Sequence, residues 1–125
     1  MRRPALLALL AVSLLACGGG LPEPRYTKHD GETPQVVPSM PPPGKVEIVP
    51  PRPATLKHPV WIDGEWEWTG RRWTWKEPGK DPGKAPGWVD APPDAAYALP
   101  LTLRLPDGRL VHFPGGWKKD KPPPP

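Results

Sequence analysis

The stretch Gly64-Glu65-Trp66-Glu67-Trp68-Thr69-Gly70-Arg71-Arg72-Trp73-Thr74-Trp75-Lys76 decides the fold. On either side of Thr69-Gly70-Arg71 the residues alternate with period two, tryptophan against charge or threonine, as a strand with one packed and one wetted face requires. A glycine between two such runs marks a hairpin. With Gly70-Arg71 as a two-residue type II′ loop, Gly70 takes positive φ, Trp66 faces Trp75 and Trp68 faces Trp73. Four indoles then share one face, while Glu65, Glu67, Arg72, Thr74 and Lys76 share the other, where opposite charges meet across the strands. A Thr69-Gly70 type I′ loop would instead pair Trp66 with Trp73 and set Trp75 opposite Gly64. The first register is preferred because it gives every side chain a matching neighbour.

A second hairpin follows in Leu101-Thr102-Leu103-Arg104-Leu105, Pro106-Asp107-Gly108 and Arg109-Leu110-Val111-His112-Phe113. Proline, aspartate and glycine in that order suit a type I turn closed by a glycine in the left-handed region, a three-residue loop with a G1 bulge. Leu105 then pairs with Arg109, Leu103 with Val111 and Leu101 with Phe113. That register gathers the apolar residues on one face, with Leu110 as the exception. Between the hairpins runs Pro78-Gly79-Lys80-Asp81-Pro82-Gly83-Lys84-Ala85-Pro86-Gly87-Trp88, a Pro-Gly repeat of period four that reads as a loop of type II turns.

The fold class expected is mostly β. It is a small two-hairpin antiparallel β module over residues 58–117, flanked by Pro-rich disordered segments and preceded by an N-terminal signal helix. Residues 17–57 carry prolines at 22, 24, 34, 38, 41 to 43, 50, 51 and 53, with no run that sustains helical or strand periodicity. Proline and glycine make up about a third of the chain from Cys17 onward, a composition of low-complexity or disordered segments. The segment reads as a tether; Val46-Glu47-Ile48-Val49 could pair as a short edge strand, which Pro50-Pro51 stops. Pro41-Pro42-Pro43 and Pro50-Pro51-Arg52-Pro53 also have the form of ligands for a proline-binding groove, although spacing is the ordinary role of such runs. Residues 118–125 read as a disordered Lys/Pro tail.

All seven tryptophans lie in the module: Trp61, Trp66, Trp68, Trp73, Trp75, Trp88 and Trp117. They are its candidate binding or structural aromatics. In a domain this small, burial and conformational entropy nearly cancel, so there is no apolar surface to spare. Most indoles are therefore expected to pack against the second hairpin, with one or two exposed at most.

At the N-terminus, Met1-Arg2-Arg3 is followed by an apolar run from Ala5 to Leu15 and by Ala16-Cys17-Gly18, the layout of an export signal. The apolar run is shorter than the ~20 residues a membrane-spanning helix needs. Leu14-Leu15-Ala16-Cys17 resembles the lipobox of bacterial lipoproteins. That resemblance implies cleavage of residues 1–16, diacylglyceration of the Cys17 thiol and acylation of its new amino group. Two or more acyl chains anchor a protein firmly where one holds it marginally. Gly18 lacks the aspartate that commonly retains such proteins at the inner membrane, so the expected location is the outer membrane, facing the periplasm. Cys17 is the only cysteine, so no disulfide within the chain is available.

Trp61-Ile62-Asp63-Gly64-Glu65-Trp66 and the residues through Gly79 resemble the tryptophan/glycine repeat proteins of bacterial envelopes, often described as carrying the YXWXGW repeat. Trp66 stands at the tyrosine position, Arg71 replaces the tryptophan after Gly70, and one full unit is present. The resemblance implies a small exported β module and carries over no catalytic residue.

Chemistry-bearing residues are sparse. His29, His58 and His112 are far apart and show no metal-ligand spacing. Glu65 and Glu67 sit two apart on one strand, but glycosidase carboxylates flank a cleft and two hairpins leave little room for one. No catalytic, metal-binding or cofactor-binding residue is assigned, and the chain reads as a non-enzyme with no small-molecule substrate. Loss of two leader arginines lowers the net charge from +4 to +2, too little for a nucleic-acid footprint. Two readings remain: a structural or interaction lipoprotein whose partner is an envelope protein or cell-wall component, and a glycan-binding module that stacks sugars on exposed indoles.

Overall fold

The structure, a computed structural model, describes residues 20–79 and 85–120. Among these residues there is no helix, and ten short strands form four small sheets. The first hairpin joins β4 (Glu65–Trp68) to β5 (Trp73–Lys76), with Trp66 opposite Trp75 and Trp68 opposite Trp73. Gly70 has φ +99°, and the Thr69 N–H donates to the Arg72 carbonyl at 3.1 Å. A two-residue loop with its first residue at positive φ is the type II′ geometry that the Gly70-Arg71 register requires.

The second hairpin joins β8 (Leu101–Arg104) to β9 (Leu110–Phe113), with Leu103 opposite Val111 and Leu101 opposite Phe113. Its loop is closed by Leu105 N–H to the Arg109 carbonyl and Gly108 N–H to the Leu105 carbonyl, with Gly108 at φ +90°. Asp107 tightens the turn by accepting from the backbone N–H of Arg109 at 3.0 Å. The register is as expected, but the burial differs: Val111 is buried as expected, and β9 is buried on its other face as well. Leu101 and Leu103 are each 42% exposed, while Leu110 is 8% and His112 2% exposed. The cause is packing from the first hairpin: the Trp73 ring meets His112 edge-on at 4.9 Å, so the face carrying Leu110 and His112 turns inward.

Four further strands complete the module. β3 (Pro59–Ile62) pairs antiparallel with β6 (Gly87–Asp90), and β7 (Ala95–Ala98) pairs antiparallel with β10 (Gly116–Lys119). Asp90 fixes the start of β3 by accepting the N–H groups of His58 and Lys57, which hold its carboxyl below the usual carboxylate range. Val60, Ile62, Val89 and Tyr97 form the central apolar cluster, with Ala91 and Trp117 against it. Residues 80–84 of the loop between β5 and β6 lie outside the described residues; on either side of them, Gly79 N–H donates to the Pro86 carbonyl at 2.8 Å.

The N-terminal arm departs most from the sequence reading. Residues 20–57 lie along the module rather than away from it. β1 (Tyr26–Thr27) adds parallel to β7, and β2 (Gln35–Val37) adds antiparallel to β9. Beyond these strands, Trp61 N–H donates to the Pro22 carbonyl and Tyr97 N–H to the Arg25 carbonyl. Arg25 also pairs with Asp120 and donates to the Ala95 carbonyl, and Glu32 pairs with Lys118 and His29. The physical reason is that an edge strand of two or three residues needs no periodic pattern, only free backbone groups opposite. Val46–Val49 forms no strand. Lys118 and Lys119, read as the start of a disordered tail, instead end β10, where they pair with Ala96 and Ala95; the signal segment and residues 121–125 lie outside the described residues.

Candidate functional site

Six of the seven tryptophans cross in three pairs, and the seventh crosses a tyrosine. Ring centroids of Trp66 and Trp75 are 5.2 Å apart at 69°, those of Trp68 and Trp73 5.4 Å at 63°, and those of Trp61 and Trp88 5.6 Å at 68°. Trp117 meets Tyr97 at 5.4 Å and 76°. These edge-to-face geometries are the favoured ones for indoles. Trp61 and Trp88 are buried and the other five are half-buried. Contrary to expectation, the indoles pack chiefly on one another and on the arm; Trp73 is the one that meets the second hairpin's His112.

Gly64 makes the crossing at Trp75 feasible. A Cβ at that position would lie 2.7 Å from Trp75 Cζ2 and 2.9 Å from the Lys76 carbonyl oxygen, so only a residue without a side chain admits the ring there.

Residues 39–53 form a strap across this indole array. Trp66 Nε1–H donates to the Pro43 carbonyl at 3.0 Å, Trp88 Nε1–H to the Pro50 carbonyl at 2.8 Å, and Trp73 Nε1–H to Ser39 Oγ at 3.3 Å. Two residues beyond each of those prolines a cation lies over the same ring. Lys45 Nζ is 5.5 Å from the Trp66 centroid and 6.0 Å from that of Trp75, and the Arg52 guanidinium is 5.8 Å from that of Trp88. Pro43-Gly44-Lys45 and Pro50-Pro51-Arg52 are thus two copies of one docking unit, a carbonyl for the indole N–H and a cation for its face. Proline suits the role because its fixed φ lowers the entropy lost on docking.

Glu47 pins the strap between the two units. Its Oε1 accepts the Gly64 N–H at 2.8 Å, while Oε2 is buried without a partner among the described residues. Burial pushes its carboxyl above the ordinary range. Beside the strap opens a cleft of about 540 Å³, walled by Trp61, Trp75 and Trp88 and bordered by Glu47 and Glu77.

Sequence reasoning found the tryptophans and missed the groups that hold them. Lys45, Glu47 and Arg52 carry one readable signal, the Pro-x-Lys and Pro-x-Arg units seven residues apart. Glu65, assigned to the wetted face, is buried, and its Oε2 accepts the Tyr97 hydroxyl at 3.1 Å. Desolvation pushes the Glu65 carboxyl up. Cys17 lies outside the described residues. Among the described residues no group of three or more His, Cys, Asp or Glu side chains is arranged to hold a metal ion. No family model, curated protein or solved structure matches the chain.

Proposed function

We propose that the chain is a non-enzymatic envelope lipoprotein, anchored through acylated Cys17 and related to the tryptophan/glycine repeat proteins, whose Trp-rich β module serves a structural or protein-interaction role. One observation carries the interaction half of this reading: the indoles are consumed. Their rings cross one another, three of their N–H groups are tied to the strap, and cations cover three of their faces. Sugar stacking needs open, coplanar ring faces, and those faces are taken. The glycan-binding reading keeps one supporting observation, the cleft beside the strap with Trp61, Trp75 and Trp88 in its walls.

The anchor half rests on the lipobox-like run ending at Cys17. With the arm laid on the module, two residues, Gly18 and Gly19, separate Cys17 from the first described residue, Gly20, a span of ~10 Å at full extension. On this reading the module sits at the surface of the outer membrane on its periplasmic side, not far out on a tether. The deciding experiment replaces Cys17 with Ala, fractionates the cells, and cross-links the anchored parent in its own envelope. Loss of membrane association together with capture of a discrete envelope protein supports the proposal. Saturable quenching of tryptophan fluorescence by soluble wall glycans, abolished by Trp75→Ala, would replace the interaction reading with the glycan one.

A further inference from the structure

A second cavity, of about 330 Å³, lies where the arm crosses the module near β3 and β7. Its volume is in the range of small-ligand sites. Its chemistry is one-sided. Glu23, Asp63 and Glu65 contribute carboxylates, Tyr26, Trp61 and Tyr97 contribute rings, and among the described residues no Lys, Arg or His lines it. Glu65 is only 6% exposed. Its carboxylate is held in place by the Tyr97 hydroxyl and the Gly115 backbone N–H. Asp63 Oδ1 is fixed by the Trp61 Nε1–H at 2.7 Å, which orients both the carboxylate and the ring. The Tyr26 phenol is pushed up by burial and then by the charges of Glu23 and Asp63, as a negative local potential requires. All this occurs in a chain whose net charge is positive.

We propose that this cavity is a binding site for an organic ammonium group. Carboxylates supply the charge, and the electron-rich faces of tyrosine and tryptophan take the polarised C–H or N–H surface of the cation. The carboxylates do not converge as metal ligands do, which favours a bulky cation over a bare ion. Leu21 and Leu99, both exposed at the rim, suit the alkyl part of the ligand. The ammonium could belong to a free amine or to a lipid headgroup. This inference stands apart from the reading of the tryptophan array.

The test uses the full chain in non-ionic detergent, titrated with choline, while NMR follows the Trp61 indole N–H and the Ile62 methyls. Saturable shifts with Kd on the order of 1 mM or tighter are expected. Glu23→Gln and Glu65→Gln should each weaken binding by about tenfold or more, and Glu67→Gln, on the exposed face of β4, should not. Glu23 is exposed, so its variant keeps the test valid even where Glu65→Gln perturbs folding. Absence of saturable shifts, or equal affinity in Glu23→Gln and Glu67→Gln, overturns the proposal. Once binding is seen, vesicles with ethanolamine headgroups are compared with vesicles bearing glycerol headgroups alone. Competition by the former assigns the ligand to lipid, and its absence assigns it to a soluble amine; either result is a form of the same site.

Discussion

At Gly70 the backbone φ of +99° leaves open space around the absent Cβ, so the cost of a side chain there is conformational and not steric. Gly70→Val should lower stability by about 1–2 kcal/mol, read by thermal unfolding, whereas Gly44→Ala, with equally open space and no positive φ, should be close to neutral. Two buried titratable residues bias the pH dependence in opposite directions. Burial first, and then the His29 charge, lowers the pKa of His112, whose Nδ1 meets Thr102 Oγ1 at 2.8 Å and whose Nε2 has no partner among the described residues. Its contribution is present above the ordinary histidine pKa of ~6.5 and lost as pH falls through the lowered folded value. Glu65 runs the other way, because its raised pKa gives stability below the ordinary carboxylate pKa of ~4.3 that is lost as pH rises through the folded value. Denaturant titrations at pH 7.5 and 5 should therefore show a smaller drop toward acid in His112→Phe than in the parent. Glu65→Gln should remove part of the parent's loss of stability between pH 4 and 7.

At the scale of elements, both hairpins were legible because each is a local event: two runs of period two around a loop whose residues dictate its turn. Facing was less legible. Leu101 and Leu103 looked like core and are half open, since the second hairpin's buried face is chosen by Trp73, a residue of another hairpin. The strap was illegible as structure because indole N–H groups bonding to proline carbonyls leave no periodicity in the sequence, only the repeated Pro-x-cation unit. Crossed indoles predict a coupling energy of roughly 0.5–1.5 kcal/mol between Trp66 and Trp75 in a double-mutant cycle. They also predict an exciton couplet in circular dichroism that Trp75→Ala removes. Replacing residues 39–53 one for one with Gly and Ser should free the N–H groups of Trp66, Trp73 and Trp88, shift tryptophan emission to the red and lower the unfolding midpoint. Lys45→Ala and Arg52→Ala should each cost about 0.5–1 kcal/mol.

Across the whole molecule, the arm supplies two of the ten strands and completes two of the four sheets as three-stranded units. Residues 55–120 alone should consequently unfold at a lower temperature than residues 20–120, with faster amide exchange in β7 and β9, the strands that lose a neighbour. A module carrying a mere tether would show no such difference. The sequence could not reveal this architecture, because the pairings Tyr26–Tyr97 and Gln35–His112 each join residues more than 70 positions apart. That separation also fixes an order of events. As the polypeptide is synthesised, the arm appears before its partners β7 and β9, so until those strands emerge the arm lacks the edges it pairs with. Contacts this non-local form late and slowly, and unpaired strand edges invite association with other chains in the interval. The prolines that later seat the strap on the indoles also deny stray strands a donor-complete edge, so the same residues protect the nascent chain from aggregation before they ever touch a tryptophan.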